Sequence, residues 1–115
     1  MAHDCLFCKI IAGEIPSTKV YSDEDFYAFR DINPVAPVHV LVVPRKHIPR
    51  ITAADPSDTE LLGKLLLTAN KIAEQEGVTA RGFRYVINCD EWGGQMVFHI
   101  HVHVIGGRKL SLSLG

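Results

Sequence analysis

Three histidines at alternate positions dominate the chemistry that this sequence could perform. They are His99, His101 and His103 in the run FHIHVHVI, where every other residue is apolar. Side chains alternate between the two faces of a strand, so we expect the imidazoles on one face and the apolar side chains on the other. Such a row could chelate a metal ion, with His39 as a further ligand, or could present its central imidazole as a nucleophile. A third interpretation is a polar sheet face that happens to be rich in histidine.

Two glycine pairs flank the histidine run, Gly93-Gly94 before it and Gly106-Gly107 after it. Backbone N–H groups in turns of this kind can point at phosphate oxygens. Either pair taken alone is equally consistent with an ordinary hairpin turn. Their closeness to the imidazoles suggests that a ligand approaches the backbone here.

Two cysteines, Cys5 and Cys8, are spaced i, i+3, so that on a helical turn both side chains point the same way. This geometry suits two ligands of one zinc ion. A redox CxxC is the competing interpretation, but the βαβ context that such motifs require is missing. Two metal-free core cysteines are the third interpretation.

The elements that must position these residues follow from apolar periodicity and from turn residues. A long helix is expected between Ser57, in a possible capping box, and Gly77, with an apolar stripe of leucine, alanine and isoleucine. A short helix is expected over 5–12. Strands are expected at residues 19–22, 26–30, 38–43, 82–89 and 97–105. One helix between strands, and consecutive strands late in the chain, predict an α+β domain with a five-stranded antiparallel sheet, one long helix and one short helix.

Composition narrows the function. The 115 residues predict a single domain, 1–115, and a formal net charge of −1 gives no basic surface for a nucleic acid polymer, while one nucleotide remains allowed. No apolar run has the roughly 20 residues that cross a bilayer, so no membrane partner is expected. Three cysteines, an odd number, and the absence of a secretory pattern at the first residues predict a cytoplasmic protein.

The sequence resembles the histidine triad (HIT) superfamily. The run from His99 to Ile105 is similar to its HφHφHφφ signature, where φ is apolar. Three blocks, LFCKIIAGEIP, FRDINPVAPVHVLVVPRKHI and GGQMVFHIHVHVIGGR, resemble the Hint branch of nucleoside phosphoramidases in order and in spacing. The resemblance covers nearly everything from Cys5 to Arg108.

The resemblance implies roles for individual residues. His101 would attack the α-phosphorus of a nucleotide and form a nucleotidyl-histidine intermediate, with His39, His99 and His103 as the other catalytic histidines. Asp31, which taken alone reads as a turn residue, would accept hydrogen bonds from the ribose hydroxyls. The implied apolar slot for the base comprises Leu6, Phe7, Ile10, Phe29 and Ile32, and the implied phosphate region comprises Asn88, Gly94, Gln95 and Met96.

Met96 departs from the family pattern. Many Hint-type members carry a hydroxyl residue at this position, which is thought to assist the leaving amine. Methionine cannot donate a proton.

The resemblance also implies a structural Zn²⁺ held by Cys5, Cys8, His47 and His99, and a two-fold homodimer that joins two sheets. The function expected is hydrolysis of purine nucleoside 5′-phosphoramidates, or of related AMP or GMP conjugates, to the nucleoside monophosphate, without any cofactor required for the chemistry. Two alternatives stay open: a nucleotide-binding regulatory module with little turnover, and a zinc hydrolase that uses the three histidines.

Overall fold

The structure, a computed structural model, describes residues 4–114 and confirms the α+β architecture. Its helices are α1 (Leu6–Ile11) and α2 (Thr59–Gln75), and its strands are β1 (Lys19–Ser22), β2 (Phe26–Arg30), β3 (Val38–Pro44), β4 (Arg84–Val86) and β5 (Val102–Gly106). The five strands form one antiparallel sheet in the order β1-β2-β3-β5-β4. Short 3₁₀ turns lie at Ile51–Ala53, Pro56–Asp58 and Glu91–Gly93.

Helix α2 covers one face of the sheet and builds the main core. Its buried face carries Leu65, Ala69, Ile72 and Ala73, which belong to one cluster with alternate residues of the central strands: Val40, Val42, Val102 and Val104. The apolar stripe is narrower than predicted, because Leu66 is exposed. Burial of each large apolar side chain contributes about 1.5–3 kcal/mol, so this interface fixes the strands that carry the histidines.

The capping box predicted at the start of α2 lies one turn earlier. It forms at Asp55 and Asp58, not at Ser57 and Glu60, and it caps the 3₁₀ turn Pro56–Asp58 that leads into α2: the Asp55 carboxylate accepts from Ser57 N and the Asp58 carboxylate accepts from Asp55 N. At the other end Gly77 adopts the left-handed backbone conformation (φ 74°) that ends many helices.

The last strand begins later than predicted. Strand β5 starts at Val102, so His99 and His101 lie on the irregular segment before it, and the expected strand over 97–105 is wrong at its first half. The partner strand β3 ends at Pro44, which has no N–H to donate, and Ile100 N donates instead to Ile48 O at 2.7 Å. Phe98, which was expected to share one strand face with the other apolar side chains of the run, is consequently 41% exposed.

Strand β4 is also shorter than predicted, with three residues, Arg84–Val86, in place of 82–89. It pairs with β5 alone and forms one edge of the sheet. No helix within residues 4–114 combines the length and apolar character needed to span a bilayer.

Candidate active site

A cluster of three histidines and one carboxylate lies where β3 and β5 run side by side. His39 comes from β3 and His103 from β5, and they share a sheet face because Leu41 pairs with His103 and His39 pairs with Ile105. Asp31 follows β2 and is fixed against β3 by its own N–H, which donates to His39 O at 3.0 Å. We call Asp31, His39, His101 and His103 the triad cluster.

Hydrogen bonds in the triad cluster determine where its protons are. Val35 N donates to His39 Nδ1 at 3.2 Å, so in the neutral ring the His39 proton is on Nε2. His39 Nε2 lies 2.9 Å from His103 Nδ1 and 3.3 Å from Asp31 Oδ2. His103 Nδ1 therefore accepts, and the proton of the neutral His103 ring is on its Nε2.

The central residue, His101, has one ring nitrogen fixed by the backbone. Its Nδ1 lies 2.7 Å from His99 O, and because a carbonyl oxygen only accepts, Nδ1 carries the proton. Its Nε2 keeps a lone pair. The ring is 7% exposed and packs edge to face on Phe7, with 4.9 Å between ring centroids. This is the arrangement of a neutral imidazole with one nucleophilic nitrogen.

Burial keeps these imidazoles neutral near pH 7. It lowers the pKa of His103 to about 4 and lowers the pKa of His101 below its ordinary value. For His39, burial lowers the pKa by more than the neighbouring Asp31 carboxylate raises it. A neutral ring retains the lone pair that attack on phosphorus requires.

A second group, Cys5, Cys8, His47 and His99, forms what we call the cysteine cluster. One potential ligand atom from each lies within 4.8 Å of the others. The Nδ1 atoms of His47 and His99 are 3.2 Å apart, and His99 Nδ1 lies 3.3 Å from Cys5 Sγ and 3.5 Å from Cys8 Sγ. Tetrahedral Zn–N bonds of about 2.05 Å and Zn–S bonds of about 2.3 Å would put two nitrogens about 3.4 Å apart and a nitrogen and a sulfur about 3.6 Å apart. The donor set therefore fits a four-coordinate metal ion.

The protonation of the side chains in the cysteine cluster also fits a metal ion. His99 Nε2 donates to Pro44 O at 2.7 Å, which leaves a lone pair on Nδ1 toward the two sulfurs. Burial, followed by the hydrogen bond and charge of Cys5, raises the pKa of Cys8 to about 11. The Cys8 thiol thus resists ionisation without a cation beside it, and a bound metal would reverse that preference.

The residues expected to hold the base are only partly brought together. Phe7, Ile10 and Phe29 lie in one buried cluster with residues of β3, beneath His101 through the Phe7 contact. Leu6 is exposed, and Ile32 is 90% exposed.

The loop that contains Gly93 and Gly94 is held in place by hydrogen bonds from its own side chains. Gln95 is buried, and its side chain donates to Pro49 O and Val97 O and accepts from Asp90 N. Asn88 Nδ2 donates to Gly93 O at 2.7 Å. These contacts use the side chains expected at the phosphate to fix the loop, whereas Met96 is 89% exposed. Gly94 is in the left-handed region (φ 83°).

The sequence did not reveal the backbone groups that hydrogen-bond to the histidine rings. Val35 N and Pro44 O set the protonation of His39 and His99, and the residue types at these two positions carry no signal for such a role. It also missed Asp90, a non-glycine residue with φ 60° and ψ −179°, which an ion pair from Arg50 Nε to Asp90 Oδ1 at 2.9 Å holds in place. Such strain recurs at functional loops.

Known proteins with a similar sequence and fold belong to one family. The family model described as the HIT domain matches residues 12–110. A purine nucleoside phosphoramidase of Escherichia coli (strain K12) is 46% identical over 110 residues, covering 96% of this chain and 92% of the relative.

Solved structures of similar proteins carry the same family name. A HIT family hydrolase from Legionella pneumophila Philadelphia 1 is 49% identical, with a TM-score of 0.94 over 96% of this chain and 99% of that one. A histidine triad protein from Clostridium difficile is 46% identical, with a TM-score of 0.93 over 96% of each chain. The sequence match, the shared fold and the histidine spacing lead to one conclusion: this chain belongs to the histidine triad (HIT) family.

Proposed function

We propose that this HIT-family hydrolase cleaves the phosphorus–nitrogen bond of purine nucleoside 5′-phosphoramidates, or of related nucleotide conjugates, through a nucleotidyl-histidine intermediate on His101. The relatives named hydrolase and purine nucleoside phosphoramidase support an enzyme that acts on nucleotide derivatives. The single observation that carries the mechanism is the hydrogen bond from His101 Nδ1 to His99 O, which leaves Nε2 unprotonated.

The chemistry divides into two displacements at phosphorus. His101 Nε2 attacks the α-phosphorus, the P–N bond to the amine breaks, and the amine leaves with the bonding pair and takes up a proton. Water then attacks the phosphorus, the bond to Nε2 breaks, and the nucleoside monophosphate is released with His101 neutral again. Imidazole suits both steps because its neutral form is abundant at pH 7 and it leaves readily when reprotonated.

The neighbouring side chains would bind and orient the phosphoryl group. His103 Nε2–H is not needed for the bond to His39, so it can donate to a phosphoryl oxygen. Asp31 Oδ1 holds Asn33 N at 2.8 Å, and its other oxygen lies near His39 Nε2, which keeps the carboxylate at the rim where ribose hydroxyls could donate to it. Met96 cannot supply the proton of the leaving amine, so that proton would come from water.

The same proposal includes a structural Zn²⁺ at the cysteine cluster. Cys5, Cys8, His47 and His99 would hold it, and a closed shell of four protein ligands leaves no position for substrate. Bound zinc would cross-link α1 to the segment before β5. Elemental analysis of protein purified without chelator should give close to one equivalent of zinc; a value near zero would remove this part of the proposal.

A homodimer in the cytoplasm completes the proposal. Strand β4 leaves one sheet edge open, and the exposed apolar residues of the described chain include Ile87 directly after β4, two on α2 and two in the C-terminal segment: Leu66, Leu67, Leu112 and Leu114. A reducing compartment suits the three free cysteines. Sedimentation equilibrium at micromolar concentration should give twice the chain mass, and a monomer would contradict the dimer.

One assay separates this function from its alternatives. Adenosine 5′-phosphoramidate is incubated with the wild type and with His101→Ala, with and without chelator. We expect turnover that the substitution abolishes and the chelator leaves in place. Binding without turnover, which Met96 favours, would instead indicate a regulatory module. Complete loss of turnover on chelation, with the fold retained by circular dichroism, would indicate a zinc hydrolase.

The intermediate itself gives the decisive measurement. The reaction is stopped at early times and digested, and the peptides are weighed by mass spectrometry. A nucleotidyl mass on the peptide with His101, absent from the His101→Ala protein, is the expected result. Product formation with no adduct on that peptide would contradict covalent catalysis.

A further inference from the structure

The segment that follows β3 holds the chain before β5 in place. Ile48 O accepts a hydrogen bond from Ile100 N at 2.7 Å, and Pro49 O accepts one at 2.8 Å from the side chain of Gln95, which is 5% exposed. Arg50 is the next residue. It belongs to neither the triad cluster nor the cysteine cluster, and the proposed reaction gives it no role.

Arg50 makes two side-chain contacts with the chain before β5. Its Nε donates to Asp90 Oδ1 at 2.9 Å, and its guanidinium carbon lies 5.4 Å from the centre of the Phe98 ring. The side chains of Arg50 and Asp90 are 36% and 55% exposed. An ion pair this exposed contributes little to the stability of a whole fold. We therefore expect its effect to be local, on the backbone that carries Asp90.

Asp90 has a backbone conformation that normally requires glycine. It is the one non-glycine residue of 4–114 with a positive φ, and its φ of 60° and ψ of −179° lie in a region that glycine alone adopts readily. A residue with a Cβ is strained there, so the surrounding structure must restrain it. The ion pair with Arg50 supplies such a restraint on the side chain.

The peptide groups of Asp90 organise the loop of residues 90–95, which we call the glycine loop. Asp90 O accepts from Gly93 N at 3.1 Å and from Gln95 N at 3.0 Å, and Asp90 N donates to Gln95 Oε1 at 2.8 Å. Rotation of Asp90 to an ordinary backbone conformation would turn its N–H and C=O groups away from these partners. The conformation of this one residue therefore maintains three hydrogen bonds of the glycine loop.

We propose that Asp90 and Arg50 are positioning residues for the phosphate of the nucleotide. The inference rests on the proposed function, which assigns the phosphate to the glycine loop. Neither side chain needs to touch the substrate, because the ion pair acts by favouring the strained conformation of Asp90. Without the ion pair the loop would be in its binding-competent arrangement for a smaller fraction of the time, and the apparent affinity would fall by that fraction.

Two replacements of Asp90 separate the backbone requirement from the carboxylate. Asp90→Ala removes the carboxylate and keeps a Cβ, so the strained conformation loses its restraint. Asp90→Gly also removes the carboxylate, but glycine adopts this conformation without strain. In titrations with AMP followed by amide chemical shifts, we expect Asp90→Ala to bind at least about fivefold more weakly than the wild type and Asp90→Gly to bind within about twofold of it.

The same titration with adenosine shows whether the loss concerns the phosphate. Adenosine has the base and the ribose of AMP but no phosphate, so its affinity should be the same for the wild type, Asp90→Ala and Asp90→Gly. Equal losses of affinity for AMP and adenosine in Asp90→Ala would indicate general damage to the fold and would overturn the proposal. Binding of AMP by Asp90→Ala as tightly as by the wild type would also overturn it.

The role of Arg50 is tested by its dependence on residue 90. Arg50→Gln should weaken AMP binding in the wild-type background and should have no further effect in the Asp90→Gly background, where no restraint is needed. The control Lys64→Gln removes the same charge from an exposed ion pair with Glu60 on α2 and should bind AMP like the wild type. Equal effects of Arg50→Gln in both backgrounds would mean that Arg50 acts independently of Asp90, and would overturn the proposal.

The proposed reaction can fail separately from this inference. The titrations measure binding of AMP, the product of the proposed reaction, and require no turnover. A wild-type protein that binds AMP but does not cleave adenosine 5′-phosphoramidate would contradict the reaction alone.

Discussion

The triad cluster and the cysteine cluster use the same side chain, a few residues apart, in opposite ways. In the triad cluster the ring nitrogens form a chain of donors and acceptors, from Val35 N through His39 to His103, and His101 Nε2 is left with a free lone pair. In the cysteine cluster the Nδ1 atoms of His47 and His99 face each other at 3.2 Å, and the sulfurs of Cys5 and Cys8 lie 3.3 Å and 3.5 Å from His99 Nδ1. The first arrangement suits attack on an electrophile, and the second suits a cation.

The difference teaches that backbone carbonyls decide what each imidazole can do. Pro44 O takes the proton of His99 at Nε2, whereas His99 O takes the proton of His101 at Nδ1. Opposite nitrogens are thereby freed on two residues that sit two positions apart. The four predictions below test this division of labour, in order of decreasing effect.

The largest effect is expected at His101. Replacement by alanine removes the nucleophilic nitrogen and should lower turnover of adenosine 5′-phosphoramidate by about 1,000-fold or more. Steady-state kinetics measure this, with circular dichroism and metal content as checks that fold and cysteine cluster persist. Residual activity within tenfold of the wild type would show that the triad cluster does not supply the nucleophile.

The next effect concerns the cysteine cluster. Cys8→Ser should abolish metal binding and lower the free energy of unfolding by about 3 kcal/mol, the stabilisation that a ligand supplies at roughly 100 times its Kd. Elemental analysis and urea unfolding measure the two quantities.

Cys89→Ser is the matched control for that substitution. Cys89 is half-buried, lies 3.5 Å from Thr52 Oγ1 and belongs to neither cluster. Its replacement should leave metal content unchanged. Equal losses in the two variants would mean that cysteines stabilise this fold without a metal.

The pH dependence of stability should report on the burial of His103 in the triad cluster. Burial lowers the pKa of His103 from its ordinary value of 6.5 to about 4, so between these values the unfolded chain binds a proton that the folded chain does not. The stabilisation from neutral His103 is complete above pH 6.5 and is lost as pH falls toward 4.

Urea unfolding from about pH 7.5 to about pH 4.5 should therefore show a flatter dependence on pH for His103→Gln than for the wild type. Parallel curves would mean that His103 is as readily protonated in the folded protein as in the unfolded one.

The smallest effect is expected at Met96. Met96→Ser would introduce a hydroxyl donor at an exposed position three residues before His99 and should raise the turnover number several-fold, up to about tenfold, as one new hydrogen bond of about 1 kcal/mol allows. Met96→Ala removes the thioether without adding a donor and serves as the comparison. Equal rates in the two variants would show that water already supplies the proton.

The sequence predicted the existence of the five strands better than it predicted their bounds, and the reasons are physical. Alternation of Val40, Val42 and their neighbours, and the helical stripe of α2, are local patterns, and they predicted the elements. The start of β5 depends on a distant proline in its partner strand, so residue spacing in FHIHVHVI could not reveal it.

The grouping of the histidines in the candidate site was also not predicted by residue spacing alone. Strict alternation predicts one face for all three histidines of the run, yet His99 joins Cys5, Cys8 and His47 while His101 and His103 join His39. Resemblance to the family implied both groupings. The protonated nitrogen of each ring depends on carbonyl oxygens whose positions are set only by the folded chain.

His99 takes part in both clusters, by its ring in one and by its carbonyl in the other. Its imidazole reaches toward Cys5 while its own peptide oxygen restrains His101 at 2.7 Å. Any change that rotates this one residue, such as oxidation of the neighbouring thiols, would therefore misalign the attacking nitrogen without altering a single group that contacts substrate. Oxidation of the cysteines beside the His99 ring would therefore lower the rate of attack by His101.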